Sequence, residues 1–305
     1  MSAATRTLRE QEGRAGLALI SPTLVITLVV VVAPLLWAVM LAFQDARLIN
    51  IRQVGIFGHY TLDNFAYVLS EPGFWSALLN TLVYTVAGTA LSIALGLVAA
   101  LALRDRFRGR TLVRASILIP YVAPVVAVTF LWETMLNPQY GIVNTWLREP
   151  IAFLTQAQGE FLGLRVPVAL LTVIAFEAWR YFPFAFLFIL ARLQAMPADL
   201  EEAAVVDGAT PTQRFRHVIL PQLWRVIALL AVLRFVFTFT KFDDVYLLTG
   251  GGAGTEVVSI RVYTFLTARD DLGASAAQAL VLALVLVVFL AVYLRFFGGG
   301  ERDQG

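Results

Sequence analysis

Six long, mostly apolar stretches constrain this chain more than any other feature of its sequence. A helix needs roughly 20 apolar residues to cross about 30 Å of hydrocarbon, and each stretch meets that length. Backbone amides in lipid need partners within the chain, so the stretches are predicted to be helices. A hydrophobic share of 59% and a mean hydropathy of +0.77 exclude a soluble domain and a disordered chain. We predict an all-α membrane protein, a single domain over residues 1–305, with six transmembrane helices at about 16–43, 76–103, 115–136, 166–191, 222–248 and 272–294.

Arginines are distributed unevenly between the two sides of this arrangement. Basic residues concentrate in the cytoplasmic connections of membrane proteins. One side carries thirteen arginines outside the spans and the other carries six, so both termini and the connections after the second and fourth spans are predicted to be cytoplasmic. The thirteen are Arg6, Arg9, Arg14, Arg104, Arg106, Arg108, Arg110, Arg114, Arg192, Arg214, Arg216, Arg295 and Arg302; the six are Arg47, Arg52, Arg148, Arg165, Arg261 and Arg269.

Residue types that usually carry chemistry are scarce. The chain has no cysteine and two histidines, which excludes disulfides, thiolate metal sites and most histidine-based metal sites. The glycine-rich run at residues 250–254 is not followed by the lysine of a phosphate-binding loop and is predicted to face outside. We therefore expect no enzymatic activity and no cofactor in this chain. The net charge of +2 reflects arginines on one side of a membrane and does not indicate nucleic-acid binding.

A polar segment at residues 196–221, between the fourth and fifth spans, is predicted to project into the cytoplasm. Pro197 suits the first position of a helix, and acidic residues from Asp199 to Glu202 favour its first turns. After Asp207, Gly208 can adopt the positive φ that ends such a helix. The segment is therefore predicted to contain a short helix followed by a sharp turn.

A second helix is predicted to follow this turn. Thr210 and Gln213 have the spacing of a capping box, and Pro211 between them suits the first helical position. This helix is expected to run to Leu220, with Pro221 marking the entry to the fifth span. The alternative is an amphipathic helix lying on the lipid surface, which would suit Arg214, Arg216 and His217.

Ionisable side chains inside the fourth and fifth spans are costly in lipid and usually face a cavity or a partner. In the fifth span Arg234, Thr238 and Lys241 share one helical face, with Phe237 beside them. The fourth span places a similar set within two turns: Glu177, Arg180, Tyr181 and Phe184. The residues themselves leave two interpretations open. The side chains could line a path, or Glu177 could pair with Arg180 while Arg234 and Lys241 neutralise Asp243, Asp244 or an acid of a partner.

The polar segment carries a resemblance to a known family. Glu202-Ala203-Ala204, followed after three residues by Gly208 and then by Ile219-Leu220-Pro221 without the usual spacer, resembles the coupling motif of permease subunits in binding-protein-dependent ABC importers. Residues 179–184 and 242–252 are similar to the carbohydrate-uptake branch, the maltose, trehalose and glycerol-3-phosphate type. The N-terminal part resembles the first permease of the pair, and the resemblance covers about residues 17–295.

The resemblance implies a type I ABC importer permease fold and a multi-pass position in a bacterial inner membrane. It implies partners: a second permease, two ATP-binding subunits that hold ATP and Mg²⁺, and an extracytoplasmic binding protein. The substrate would be a sugar, a related polyol or a glycerophospho-compound, moved by alternating access. Docking on the ATPase is implied for Glu202, Ala203, Ala204, Asp207, Gly208 and Ala209. Substrate contact is implied for Arg180, Tyr181, Phe184, Arg234, Phe237, Thr238 and Lys241.

A second hypothesis is a transporter driven by an ion gradient. Glu177, Asp243 and Asp244 would then carry the ion. Six spans without an internal repeat are few for that class, and the polar cytoplasmic segment would have no purpose. The ATP-driven importer therefore remains the leading hypothesis from the sequence.

Overall fold

The computed structural model describes residues 16, 18–147, 150–161 and 164–297. The chain divides into two compact units. One contains the described residues up to Glu71 together with Val262–Val281, and the other contains Pro72–Arg261 and the described residues from Leu282 onward. A single transmembrane domain therefore stays a prediction. Five arginines of the charge asymmetry lie outside the described residues: Arg6, Arg9, Arg14, Arg148 and Arg302.

The first unit begins with helix α1 (Ala18–Ala42), which is long and apolar enough to cross a membrane. A second helix, α2 (Asp63–Ser70), lies in the outer connection. The Asn64 side chain on α2 donates hydrogen bonds to the backbone oxygens of Ala42, at 3.0 Å, and Gln44, at 2.8 Å. The Ala42 carbonyl is one of those that the end of a helix leaves without a partner in the helix, and the two bonds together fix α2 against the end of the span.

The second unit contains most of the helices. They are α3 (Pro72–Ala102), α4 (Arg110–Val122), α5 (Val125–Met135), α6 (Ile142–Leu147), α7 (Val168–Gln194), α8 (Ala198–Val206), α9 (Pro211–Phe239) and α10 (Asp243–Thr249). Two further helices, α11 (Val258–Thr267) and α12 (Leu272–Phe297), run across the division between the units. A short antiparallel hairpin that the sequence did not predict pairs β1 (Gly159–Phe161) with β2 (Leu164–Val166).

Five of the helices in the described part of the chain could cross a membrane by length and composition: α1, α3, α7, α9 and α12. A sixth span exists if α4 and α5 are counted together. The sequence prediction of six spans therefore holds only with that pairing.

The predicted third span is broken rather than continuous. Helices α4 and α5 are bent by 97° at their junction. Ala123 adopts extended backbone angles, φ −64° and ψ 144°, immediately before Pro124. A residue before proline is forced out of the helical region because the proline ring collides with its backbone. Pro120, by contrast, lies inside α4, so Pro124 determines the break.

The predicted fifth span also differs from the structure. Its helix ends at Phe239, and a separate helix, α10, begins at Asp243. The paired acids Asp243 and Asp244 occupy the first turn of α10, where the helix dipole stabilises negative charge. The helix also begins earlier than predicted, because Pro221 does not interrupt it. A π-helical turn at Phe215–Ile219 precedes this proline, so α9 runs continuously from Pro211.

Helices α3 and α7 pack closely because small residues line their contact. A Cβ atom on Gly96 would lie 2.6 Å from the Cβ of Ala185, and one on Gly88 would lie 2.8 Å from Cγ of Glu177. Real Cβ contacts are longer than this, so both positions require glycine. The close approach brings the polar residues of α7 against α3 in the interior.

Candidate functional site

The turn of the cytoplasmic segment has the predicted geometry. Helix α8 ends at Val206, and Gly208 has φ +77°. The Gly208 amide donates to the oxygen of Val205 at 3.0 Å, and the Ala209 amide donates to that of Ala204 at 2.9 Å. A Cβ on Gly208 would meet no atom within 4 Å, so the backbone angle, rather than space within this chain, requires the glycine.

The predicted capping box begins the next helix. The Thr210 amide donates to Oε1 of Gln213 at 2.8 Å, and the Gln213 amide donates to Oγ1 of Thr210 at 3.3 Å. Both reciprocal hydrogen bonds of the capping box are therefore formed. Because α9 starts at the adjacent Pro211 and continues into the membrane, the turn at Gly208 is rigidly joined to a transmembrane span.

The outer face of α8 is open to solvent. Val206 is 87% exposed and Val205 is 53% exposed. Together with Glu201, Glu202 and Arg214 these valines line a cavity of about 320 Å³. Among the described residues none forms a hydrogen bond or ion pair with the Glu202 carboxylate. The docking set implied by the sequence did not include the two valines, although exposed apolar residues beside an unpaired carboxylate are typical of a surface that binds a partner.

A salt bridge connects α8 to the preceding cytoplasmic connection. Arg104 follows the end of α3, and its Nη1 and Nη2 donate to the two carboxylate oxygens of Glu201 at 2.9 and 2.8 Å. This hydrogen bonding to Glu201 raises the pKa of the Arg104 guanidinium. A bidentate arginine–carboxylate pair fixes orientation as well as distance, so α8 is held in register with the connection between α3 and α4.

Glu177 is the centre of a buried polar network in the interior of the second unit. Its carboxylate accepts hydrogen bonds from Tyr84 Oη at 2.9 Å and from Thr238 Oγ1 at 2.8 Å. It also forms an ion pair with Arg234. These partners belong to α3 and α9, so one side chain of α7 connects three helices. The suggested pairing of Glu177 with Arg180 is wrong, because Glu177 pairs with Arg234 on another helix instead.

A second polar group lies around Tyr181. Arg180 Nε donates to Tyr181 Oη at 3.1 Å, and Lys241 Nζ donates to the same oxygen. Lys241 lies 3.6 Å from both Asp243 and Asp244, and Arg180 lies 3.8 Å from Asp244. Neutralisation of Lys241 by these two acids is therefore confirmed, whereas Arg234 has its partner elsewhere.

A cavity of about 220 Å³ opens beside these two groups. It is lined by Tyr121, Tyr181, Phe184, Arg234, Phe237 and Lys241. Five of these were named from the sequence. The remaining two predicted path residues, Arg180 and Thr238, are not among the lining residues. They are buried and bonded to the network, Arg180 at 7% and Thr238 at 1% exposure.

Tyr121 was missed by sequence reasoning. It lies in α4, one residue after Pro120, and its ring contacts Tyr181 edge-on at 6.1 Å and Phe184 at 6.0 Å between centroids. Only the break at Pro124 could have indicated that this part of the chain lines the cavity. The cations also contact the aromatic wall, since Arg234 and Lys241 each lie 4.3 Å from the centroid of the Tyr181 ring.

Apolar helices joined to an exposed cytoplasmic turn, with a polar cavity in the interior, define a membrane transport subunit. The chain belongs to the family of binding-protein-dependent transport system inner membrane components, whose model matches residues 92–298. It is thus a multi-pass inner-membrane permease of an ABC importer, and its family is one of transport permeases rather than of known enzymes.

Relatives and a solved structure agree with this assignment. The chain is 33% identical to the trehalose/maltose transport system permease protein MalF of Thermococcus litoralis, over 98% of each chain. It is 31% identical to the trehalose transport system permease protein SugA of Mycobacterium tuberculosis, over 96% of this chain and 93% of SugA. The fold matches a bacterial ABC transporter involved in alginate import with a TM-score of 0.81 at 22% identity, over 98% of this chain and 100% of that chain. The predicted type I importer permease fold is confirmed.

Proposed function

We propose that this chain, as one transmembrane domain, forms half of the path for a neutral sugar or polyol. In the proposal a second permease supplies the other half, two ATP-binding subunits supply the energy, and an extracytoplasmic binding protein delivers the substrate. Two of its relatives are named as permeases of trehalose/maltose and trehalose transport systems. The sequence contains no nucleotide-binding motif, so ATP and Mg²⁺ would be held by the partner subunits.

The continuity of α9 is the observation that carries the proposal. This helix starts at Pro211, beside the turn at Gly208, and contains both Arg234 and Phe237 of the cavity wall. At 1.5 Å per residue its 29 residues span about 42 Å. Movement of the turn by an ATPase would therefore be transmitted to the cavity by one rigid element, and rigid-body movement of helices is a known route of switching.

The charges around the cavity favour a neutral substrate over an anionic one. Three cations, Arg180, Arg234 and Lys241, face three carboxylates in ion pairs. With all three carboxylates ionised, the charges of the group cancel. Tyr181, Phe184 and Phe237 offer aromatic faces, and the cations offer hydrogen-bond donors, which together suit the apolar faces and hydroxyl groups of a sugar.

Transport by the reconstituted complex tests the proposal. The chain is expressed with its partner subunits, reconstituted into proteoliposomes with internal ATP, and supplied with labelled maltose, trehalose or sn-glycerol-3-phosphate in the presence of the binding protein. We expect ATP-dependent uptake of a neutral sugar, which Tyr181→Phe reduces without changing assembly. Exclusive uptake of the phosphate ester would contradict the substrate class. Uptake that requires an ion gradient and no ATP would contradict the mechanism.

A further inference from the structure

A basic cavity lies in the cytoplasmic connection between α3 and α4, away from the cavity in the interior. Its volume is about 660 Å³, and its lining combines cationic and apolar side chains with a helix start: Arg106, Phe107, Gly109, Arg110, Thr111 and Leu112. Neither the coupling turn nor the proposed path uses these residues. The lining therefore indicates a binding site that is separate from the coupling turn and from the proposed path.

The connection is held in shape by three of its own arginines. The Arg114 guanidinium donates to the backbone oxygen of residue 103, and that of Arg110 donates to the oxygens of residues 104 and 105. Arg104 is bound by Glu201. These bonds leave the cavity preformed, so a ligand would bind without ordering the loop, a cost that otherwise lowers affinity.

The remaining two arginines are free to attract an anion. Arg106 and Arg108 are exposed, and among the described residues neither guanidinium forms a hydrogen bond or ion pair. Residues 104–114 contain five arginines and one acid, Asp105. Arg106 lines the cavity and Arg108 does not. A guanidinium binds a phosphate group through two parallel hydrogen bonds, as it does a carboxylate.

An apolar stripe leads from this cavity along α4. Leu112, Ala115, Ile119 and Val122 follow at intervals of three, four and three residues, which places them on one face of the helix. All four are exposed, Leu112 at 74% and Val122 at 75%. Leu112 and Ala115 also line the cavity. A cationic pocket continuous with an apolar stripe matches a phosphate headgroup continuous with an acyl chain.

We propose that this cavity and stripe bind an anionic glycerophospholipid of the cytoplasmic leaflet. Its phosphate contacts the Arg106 guanidinium and the start of α4, and an acyl chain lies along the stripe toward Ile119. Because Arg104 in the same connection is bound to Glu201 of α8, the lipid stabilises the surface against which α8 is held. Basic pockets at the cytoplasmic ends of spans are suited to such headgroups.

Site-specific quenching tests the proposal in the assembled transporter. The chain has no cysteine, so Ile119→Cys provides a single labelling position on the stripe, and Val287→Cys, a 60% exposed position on α12, provides the reference. Each is labelled with a fluorophore and reconstituted in phosphatidylcholine with brominated phosphatidylglycerol or brominated phosphatidylcholine. We expect brominated phosphatidylglycerol to quench the label at residue 119 preferentially and the label at residue 287 without preference.

Two arginine variants separate a site from general attraction. Arg106→Gln should lower the preference for phosphatidylglycerol about tenfold, because a hydrogen bond to a charged group is lost. Arg108→Gln removes the same charge outside the cavity and should lower it less than about fivefold. Equal losses in the two variants would overturn the site.

Three further outcomes would overturn the lipid as occupant. Equal quenching by both lipids at residue 119 would show a lipid-exposed surface without headgroup preference, and quenching by neither would show that a partner subunit covers it. Displacement of the quencher by millimolar sn-glycerol-3-phosphate would show that the site takes a soluble phosphate rather than a lipid. We expect no displacement, because the acyl chain contributes apolar contact that the soluble ester lacks.

Discussion

Glu177, which carries a buried charge, is the residue on which the interior of this permease most depends. Its carboxylate is fully buried and is shared by Tyr84, Thr238 and Arg234. A buried ion pair adds little net stability compared with apolar residues, but removing one partner leaves an uncompensated charge. The ion pair between Glu177 and Arg234 also fixes the position of the Arg234 guanidinium at the cavity.

Glu177→Gln should destabilise the protein strongly because Arg234 is then buried without a counter-charge. We expect a loss of about 3–5 kcal/mol, measured as a lower thermal unfolding midpoint of the purified complex. Asp243→Asn removes the same charge at a half-exposed position and should cost less than about 1 kcal/mol. Similar losses in the two variants would mean that Glu177 is not the structural centre of the network. Glu177→Gln combined with Arg234→Met should recover part of the loss, because both charges are then gone.

Gly208→Ala should disturb coupling because alanine is strained at φ +77°, by about 1–2 kcal/mol. Gly254→Ala is a matched control, because Gly254 has φ +76° and equally open space on a different loop. We expect Gly208→Ala to lower uptake per ATP hydrolysed and Gly254→Ala to leave that ratio unchanged. An unchanged ratio in Gly208→Ala, or the same decrease in both variants, would count against the coupling role.

Two contacts between elements can transmit movement of the cytoplasmic segment to the membrane-spanning helices. The turn at Gly208 continues directly into α9, and α8 is attached to the end of α3 through Arg104 and Glu201. Motion of α8 thus reaches the interior by two routes that both stay within the second unit. Each side chain of this salt bridge is about a quarter exposed. The pair is therefore expected to fix the orientation of α8 and to add little to the free energy of unfolding.

Charge reversal tests the second route. Arg104→Glu and Glu201→Arg each place like charges together and should lower the ratio of transport to ATP hydrolysis. Restoration by the double variant is expected, since the pair is reformed with opposite polarity. A ratio that stays low in the double variant, with normal assembly, would show that the residues act separately. The stability change should stay within about 1 kcal/mol in all three variants.

At the scale of the whole molecule, the sequence predicted the existence of the spans better than their shape. Apolar length alone placed the helices, because lipid leaves the backbone no other choice. The 97° bend depends on backbone angles at Ala123 that only the following proline implies. The end of α9 at Phe239 is followed by the polar residues Lys241, Asp243 and Asp244, which the sequence prediction counted within one continuous span.

The candidate site was predictable to a similar extent. Helical spacing predicted one face with Arg234, Thr238 and Lys241 and with Phe237 beside them, but Lys241 lies beyond the end of α9 at Phe239. The pairing of Glu177 with Arg234 joins positions 57 residues apart, and no local pattern determines it. Tyr121 joins the cavity only because of the bend. Long-range pairing and backbone breaks are therefore what the sequence left undetermined.

Access to the cavity during the ATP cycle tests whether movement at the turn reaches the path through α9. A single cysteine replaces Phe237, which lines the cavity, and the assembled transporter is exposed from outside to a membrane-impermeant thiol reagent. We predict slow labelling without nucleotide and faster labelling when the ATP-bound state is trapped, with the increase abolished by Gly208→Ala. Labelling that is independent of nucleotide would contradict transmission of ATPase movement through α9 to the path.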